Sequence, residues 1–439
     1  MGLFMGRIAD RANRRNIIVV GAFIWNLALA GMGTSGSFWQ LLVYRLVLGV
    51  GQAFSNPASY SMIADVFPPL QLPRANGLYA SGVYIGGGLA SFSEVMGAHI
   101  GWRWAFYLCA IIGGAMATIL FFTVAEPTRK EARIVSPAAA AAVATDSDAP
   151  PSLTQTLRFF FTDAHTATLL AAASVRFIGG YAIGGYLPVF YSLKFSSHSS
   201  EYSIINAFVV GCGGFISSSV GGYLTSWWLS NPHLWGSSKV RGEERRTSPS
   251  PRAHLFQKVT FLNRERFSLQ ANYLVPAIGA LSAIPFICLC LLSSDFYVSL
   301  CVGLTFEYLT AESWFGPYMS ALQSGVPKTM RAMVVSVMMF LATFFGSLAS
   351  YIIGVVQDSS HAGSDASSIK IILLITVTSS YGVAAWLFIV ASAFQPKTTD
   401  RDAHGVTKKG EASEESALLA GNGQGGDAED RGRGRYEVA

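Results

Sequence analysis

Charge sits in this sequence where it is expensive. Glu307 and Glu312 fall inside the apolar stretch 296–322, Arg45 inside 39–63 and Arg176 inside 166–191. An unpaired Arg at the centre of a membrane helix costs on the order of 3 kcal/mol even on lenient scales, so each such group should face a partner or a wet cavity. The chemistry open to them is ion pairing, anion binding and proton exchange. Gln52 follows Arg45 by seven residues and so shares its helical face, and Asn56 and Tyr60 continue that polar stripe. Arg45 and Glu307 form the first pairing to expect, facing each other across a central path, where a desolvated carboxylate can take and release a proton. The alternative for Arg45 is a structural residue bonding backbone carbonyls of neighbouring helices. Glu312, in Ala311-Glu312-Ser313-Trp314-Phe315-Gly316-Pro317, can instead brace a broken helix end. Tyr84 and Glu94, both in 76–99, extend the candidate substrate path, and Arg176 can bind a substrate's negative charge.

Covalent chemistry finds no support. His99, His165, His198 and His361 are scattered, and no nucleophile triad, metal-ligand spacing or phosphate loop is present. The Gly-rich run Gly82-Val83-Tyr84-Ile85-Gly86-Gly87-Gly88 lacks a following Lys-Ser/Thr, so it reads as helix-on-helix packing through Gly82 and Gly86. Cys109, Cys212, Cys288, Cys290 and Cys301 all lie in apolar segments and suggest neither disulfides nor zinc. No cofactor or metal is called for.

The elements that must position these residues are membrane helices. The chain has 439 residues, 51% of them hydrophobic and only 13% charged, against roughly 25% charged in an average soluble domain. Ten segments are long and apolar enough to cross a bilayer, near 17–35, 39–63, 76–99, 104–124, 166–191, 202–229, 271–293, 296–322, 332–357 and 371–394. Nearly all of the 31 Lys and Arg residues fall in alternate loops and the two termini, while the opposite loops hold only Arg103, Lys194 and Lys370. That asymmetry places both termini in the cytoplasm and accounts for the basic loops without nucleic acid.

An internal repeat orders the helices. Pro69-Leu70-Gln71-Leu72-Pro73-Arg74-Ala75 opens one helix, and Val326-Pro327-Lys328-Thr329-Met330-Arg331-Ala332 opens its counterpart. The chain therefore divides into an N-terminal half at 1–127, a cytoplasmic linker at 128–165, a C-terminal half at 166–396 and a polar, Gly-rich tail at 397–439. Two spans precede the counterpart of the 17–35 helix in the second half and none in the first, with Gly222 corresponding to Gly6. On this count the first two helices are absent and Met1–Met5 is the end of the second; the alternative is a ten-helix protein. The tail carries Glu414, Leu418 and Leu419 in an acidic dileucine pattern, a candidate for a sorting adaptor toward endosomes, lysosomes or vacuoles.

Between Met5 and Ile17 runs Gly6-Arg7-Ile8-Ala9-Asp10-Arg11-Ala12-Asn13-Arg14-Arg15. Gly6 permits a tight turn, Asp10 can cap the next helix or pair with an Arg, and Arg11, Arg14 and Arg15 pin the loop inside. An ordinary solvated basic loop is the plainer reading. The order of residues resembles the G-x-x-x-D-R-x-x-R-R loop signature of major facilitator superfamily transporters, and Arg45-x-x-x-Gly49 resembles that superfamily's second signature, associated with proton coupling. Together with Ile63-Ala64-Asp65-Val66-Phe67, Tyr84 to Gly88 and Gly101-Trp102-Arg103-Trp104-Ala105-Phe106, the sequence is similar to Spinster-like transporters over most of 1–124. The resemblance implies an all-α polytopic membrane protein of the major facilitator fold, with two parallel pseudo-repeat halves rocking about a central site. It implies proton-linked movement of an amphipathic lipid or organic anion across a plasma, endosomal, lysosomal or vacuolar membrane. Spinster relatives usually carry Glu where this chain has Gln52, which turns the proton site toward Glu307. A carrier of small organic anions or sugar-phosphates, and a truncated, non-transporting membrane protein, are the other readings. Asp65 is expected to pair with Arg11 or Arg74.

Overall fold

The computed structural model describes residues 2–9, 12–91, 93–126, 153–231, 270–327, 330–359 and 366–394. Residues 1–394 form one compact unit. The described residues are helical with no strand, and seven helices among them are long and apolar enough to cross a membrane. Long apolar segments satisfy every backbone donor and acceptor internally only as helices, which is why this composition folds this way in lipid.

In chain order the helices are α1 (Gly2–Ala9), α2 (Arg14–Thr34), α3 (Phe38–Val66), α4 (Leu72–Ser91), α5 (Ser93–His99), α6 (Trp102–Thr123), α7 (Leu153–Thr162), α8 (Ala164–Lys194), α9 (Ser199–Phe208), α10 (Gly214–Ser230), α11 (Ala271–Leu292), α12 (Thr305–Ala311), α13 (Phe315–Ser324), α14 (Arg331–Ser359) and α15 (Ala366–Ala393). Local chemistry sets several starts. Asn13 caps α2 by accepting from the Asn16 amide at 3.0 Å, and Asp163 caps α8 by accepting from Thr166 at 2.8 Å. The cap of α2 is therefore Asn13; Asp10 and Arg11 lie outside the described residues. Gly6 sits within helix α1 rather than at a turn, and its use is close approach: a Cβ there would strike the Ser336 side chain and the Ala332 carbonyl.

Two expected spans are interrupted. The 76–99 span is described as α4 and α5, on either side of residue 92, which lies outside the described residues. The 202–229 span carries a π-helical turn at Val209–Gly213, between α9 and α10. The 296–322 span opens with a π-helical turn at Val298–Leu304 and breaks at a 3-10 turn, Glu312–Trp314. The segment expected as linker contains helix α7 from Leu153, which begins before the predicted end of the linker at 165.

Most of the continuous core belongs to the helices from α8 onward, joined by Tyr60 and Ala80 from α3 and α4. A second, small cluster joins Ala9, Ile18 and Ala58 to Ala332. Helix α6 buries little of itself and exposes Ile111 and Phe122 among others, as an apolar helix in contact with lipid does. Where N-terminal and C-terminal helices cross most closely the residues are glycines. Gly77, Gly222 and Gly316 bring α4, α10 and α13 together, and a Cβ at Gly316 would lie 2.7 Å from the Gly77 backbone. Gly82 and Gly86, expected to be the packing face of α4, have nothing within 4 Å of a built Cβ. Their neighbour Gly88 makes the contact instead: a Cβ there would lie 2.8 Å from the Gly211 Cα, because α4 turns that side to the π-helical turn.

Candidate functional site

The break at Glu312–Trp314 determines what surrounds it. Ending α12 there frees the Ala311 carbonyl, and Arg176 of α8 fills the vacancy by donating through Nη2 at 3.1 Å. The same Nη2 donates to Glu312 Oε1 at 3.1 Å. Glu312 Oε2 accepts from the Tyr84 hydroxyl at 2.5 Å, so a residue of α4 and a residue of α8 meet on one carboxylate. The Arg176 guanidinium also lies 4.1 Å over the Tyr381 ring and 5.6 Å from the Trp314 ring, both favourable cation–π positions. Tyr381, on α15, donates to Glu307 Oε1 at 2.5 Å. Tyr84, Glu312, Arg176, Tyr381 and Glu307 thus form one contiguous chain of polar side chains.

Burial makes these contacts consequential. Glu307 has 0% relative exposure, Arg176 2% and Glu312 14%. Glu307 Oε2 and Arg176 Nε are both buried without a hydrogen-bond partner. A buried carboxylate with one donor is under-satisfied when ionised, and taking a proton removes most of that cost.

The other expected residues are placed differently. Arg45 is exposed and has no hydrogen-bond or ion-pair partner among the described residues, so it does not face Glu307. The partner of Glu307 is Tyr381, and the arginine of the cluster is Arg176, because α12 packs against α11 and the π-helical turns and not against the first turns of α3. Gln52 is exposed and Asn56 half-buried on α3. Tyr60 is buried, packed edge-on to Tyr79 at 4.8 Å and against Phe315 at 5.9 Å. Glu94 lies on α5. Glu414, Leu418 and Leu419 lie outside the described residues.

A second cluster gathers around Arg14, the first residue of α2. It is 2% exposed and ion-pairs with Asp65 at 2.6 Å and Glu126 at 3.1 Å, while also donating to Ser61 at 3.2 Å. Arg331 approaches Asp65 at 3.7 Å and donates to the Ala64 carbonyl at 3.3 Å. Among the described residues Asp65 therefore pairs with Arg14 and Arg331; Arg74, expected as its partner, instead lies over the Tyr223 ring at 5.6 Å, and Arg11 lies outside the described residues. Arg15 donates to the Phe121 carbonyl, and its backbone amide donates to Glu126 at 2.8 Å. Close by, the buried amides of Asn76 and Gln323 bond at 3.0 Å, and Gln323 donates onward to the Tyr60 carbonyl at 2.9 Å.

Sequence reasoning missed Tyr381, Glu126 and the Asn76–Gln323 pair. Their only signal was a polar group in or at the end of an apolar run, and Tyr381 is one of 17 tyrosines.

Helices from the earlier and later parts of the chain thus meet through small residues, with polar groups where they meet. Residues 1–240, more than half of the chain, match the sequence model of the Major Facilitator Superfamily. The chain belongs to that superfamily. Members are transporters and not enzymes, and this superfamily member is an integral, multi-pass membrane protein. Within the superfamily its likeness is to Spinster proteins. It is 35% identical over 126 residues to a probable sphingolipid transporter, spinster homolog 1, of Arabidopsis thaliana, covering 28% of this chain and 25% of that one. It is 23% identical over 400 residues to an MFS-type efflux pump of Mycolicibacterium smegmatis, covering 90% of this chain and 80% of the pump. The chain spans about a quarter of the length of the Spinster relatives it matches. The same fold is seen in the crystal structure of a bacterial homolog of the human lysosomal transporter Spinster, inward-facing and unoccupied, at a TM-score of 0.51 and 19% identity over 90% of this chain and 85% of that one.

Proposed function

We propose that this protein is a secondary active transporter that works by alternating access and carries an amphipathic lipid or organic anion, with proton movement coupled at Glu307. The observation that carries the proton assignment is the setting of Glu307: wholly buried, one hydroxyl donor from Tyr381, and a second oxygen with no partner. In that setting charge is costly and a proton is the simplest means of removing it. Gln52, the position where Spinster relatives carry an acid, cannot titrate. The substrate class is supported by the likeness to a protein named as a probable sphingolipid transporter. A small organic anion is the second reading, favoured by the spare N–H donors of Arg176. In this reading Gly6, Asp10, Arg11, Arg14 and Arg15 serve gating, Arg45, Gln52, Glu312 and Arg176 serve transport beside Glu307, and Asn56, Tyr60, Tyr84 and Glu94 line the substrate path.

The test is flux into proteoliposomes containing the full chain, with labelled lysophospholipid and labelled dicarboxylate in parallel and a pH gradient imposed. Uptake of one class should follow the gradient. Glu307→Gln should abolish gradient-driven accumulation while leaving counterflow intact. No flux of either class in the parent protein would remove the transport reading, and gradient-driven uptake by the Gln variant would remove Glu307 from the coupling.

A further inference from the structure

An arginine offers five N–H donors in a fixed fork, a shape that favours bidentate capture of carboxylate or phosphate. Arg176 uses that fork poorly. Both of its hydrogen bonds leave from Nη2, one to the Ala311 carbonyl and one to a single oxygen of Glu312, each at 3.1 Å. A charge-assisted N–H to carboxylate bond is normally about 2.7–2.9 Å, so the ion pair is long as well as single. Nε is buried with no partner. On the Nη1 side there is room: a Cβ built on Gly180 would meet nothing nearer than Nη1 itself, at 3.9 Å, and Gly184 and Gly185, one turn further along α8, have nothing within 4 Å. A 98%-buried guanidinium thus keeps unused donors beside Gly180, where no side chain crowds Nη1, and the acid now on it is held more closely by Tyr84, at 2.5 Å, than by the arginine.

From this geometry we infer that Glu312 is an internal stand-in for an anionic substrate head group: a carboxylate or phosphate takes the Arg176 fork bidentately and displaces Glu312 from it. The inference rests on the reading of the chain as a carrier of an amphiphile or organic anion, and adds how the anion is admitted. Arg176 and Glu312 both lie among the C-terminal helices and Tyr84 lies on α4, so displacement breaks a bond within the C-terminal half and leaves Glu312 to Tyr84, across from the N-terminal half. Substrate arrival and the hand-over of Glu312 from Arg176 to Tyr84 become one event, so the empty and loaded states differ in how the two halves are joined.

The test is equilibrium binding by titration calorimetry to the purified full chain in maltoside micelles, at one pH, with dodecyl phosphate and inorganic phosphate as probes. The parent protein should bind dodecyl phosphate. Glu312→Gln, which keeps the shape and removes the competing charge, should bind about tenfold more tightly, roughly 1.4 kcal/mol. Tyr84→Phe keeps the acid and removes the donor that receives it on leaving Arg176; it should bind about two- to threefold more weakly, a change smaller than the tenfold expected per 1.4 kcal/mol. Arg176→Gln should lose binding. The same ranking with inorganic phosphate would identify the head group alone as sufficient, and a ranking seen only with dodecyl phosphate would identify an amphiphile; both support the displacement. Unchanged or weaker binding by Glu312→Gln at wild-type melting temperature, or absence of binding in every form, overturns it. Should Glu312→Gln fail to fold, Glu312→Ala decides, and no gain in its affinity overturns the inference. Flux measured on the same preparations separates the two readings. The predicted ranking without transport removes the transport reading alone, and transport with the ranking reversed removes the displacement alone.

Discussion

Arg14 and Arg176 are both 2% exposed, yet they are buried for different ends. Arg14 has two carboxylates and a serine hydroxyl around it, and its carboxylate partners are each about a quarter exposed, so the pair of ion pairs borders water. That is the surrounding of a structural clamp between α2, the end of α3 and the segment after α6. Arg14→Met leaves Asp65 and Glu126 together without their cation, and the measured melting temperature should fall. Breaking a fully buried pair costs about 3–5 kcal/mol, and the partial exposure of both acids brings the expectation to about 2–3 kcal/mol. Glu126→Gln removes one acid of the two and should cost less than half of that. Equal losses in the two variants would mean that Asp65 and its contact with Arg331 hold the clamp without Arg14. Arg14→Lys should not restore the parent stability, because a lysine cannot serve acids on two sides through a planar fork.

At the scale of helices, the contrast within α4 carries the next prediction. Gly77 faces the Ser218 carbonyl at 2.6 Å from a built Cβ, and Gly316 on α13 faces Gly77 in turn, whereas Gly82 and Gly86 face open space. Gly77→Ala and Gly316→Ala should each lower the melting temperature, by about 1–3 kcal/mol of overpacking. Gly82→Ala and Gly86→Ala should be neutral or stabilising, since Ala is favoured over Gly in a helix by about 1 kcal/mol. Loss of stability at Gly82 would return the packing face to where the sequence pattern put it. Positions like these mark the limit of what could be read from the chain. The existence and type of nearly every long helix followed from apolar length alone, and the intramembrane charges Glu307, Glu312 and Arg176 stood out because charge there is rare. Which charge met which did not follow. Arg45 and Arg176 look alike in sequence, each a lone Arg in an apolar run, and only the rotation of α3 and α8 in the bundle leaves one exposed and sets the other beside Glu312. The helix breaks at Val209–Gly213 and Glu312–Trp314 were hidden for a related reason: π-helical and 3-10 turns change the register of a face by a fraction of a turn, and periodicity over a short window does not resolve that.

Among the described residues, N-terminal helices touch C-terminal ones through Arg331 with Asp65 and Ala64, and through Asn76 with Gln323. The Asn76–Gln323 pair is the element there best suited to open. Both residues have 0% exposure, their amides bond at 3.0 Å, and Gln323 reaches the Tyr60 carbonyl at 2.9 Å, so three helices, α3, α4 and α13, share one neutral polar contact. A neutral pair separates without leaving a charge behind, and water that enters replaces each lost bond, so its net contribution is small and the closed and open arrangements stay near balance. Replacing both residues by Ala removes about 1–1.5 kcal/mol from the closed arrangement. That shifts a two-state balance by about tenfold. The readout is labelling of Ser320→Cys, a position 2% exposed on α13, by a membrane-impermeant maleimide in a background with the five native cysteines replaced by Ala. Labelling should rise several-fold in the Asn76→Ala/Gln323→Ala form, and substrate that binds from the opposite side should lose affinity in the same proportion, because ligand and latch act on one equilibrium. Unchanged labelling would place the restraint elsewhere, in the Asp65–Arg331 contact or the glycine crossing of Gly77, Gly222 and Gly316, where backbone packing rather than a polar bond would have to yield before the path could open.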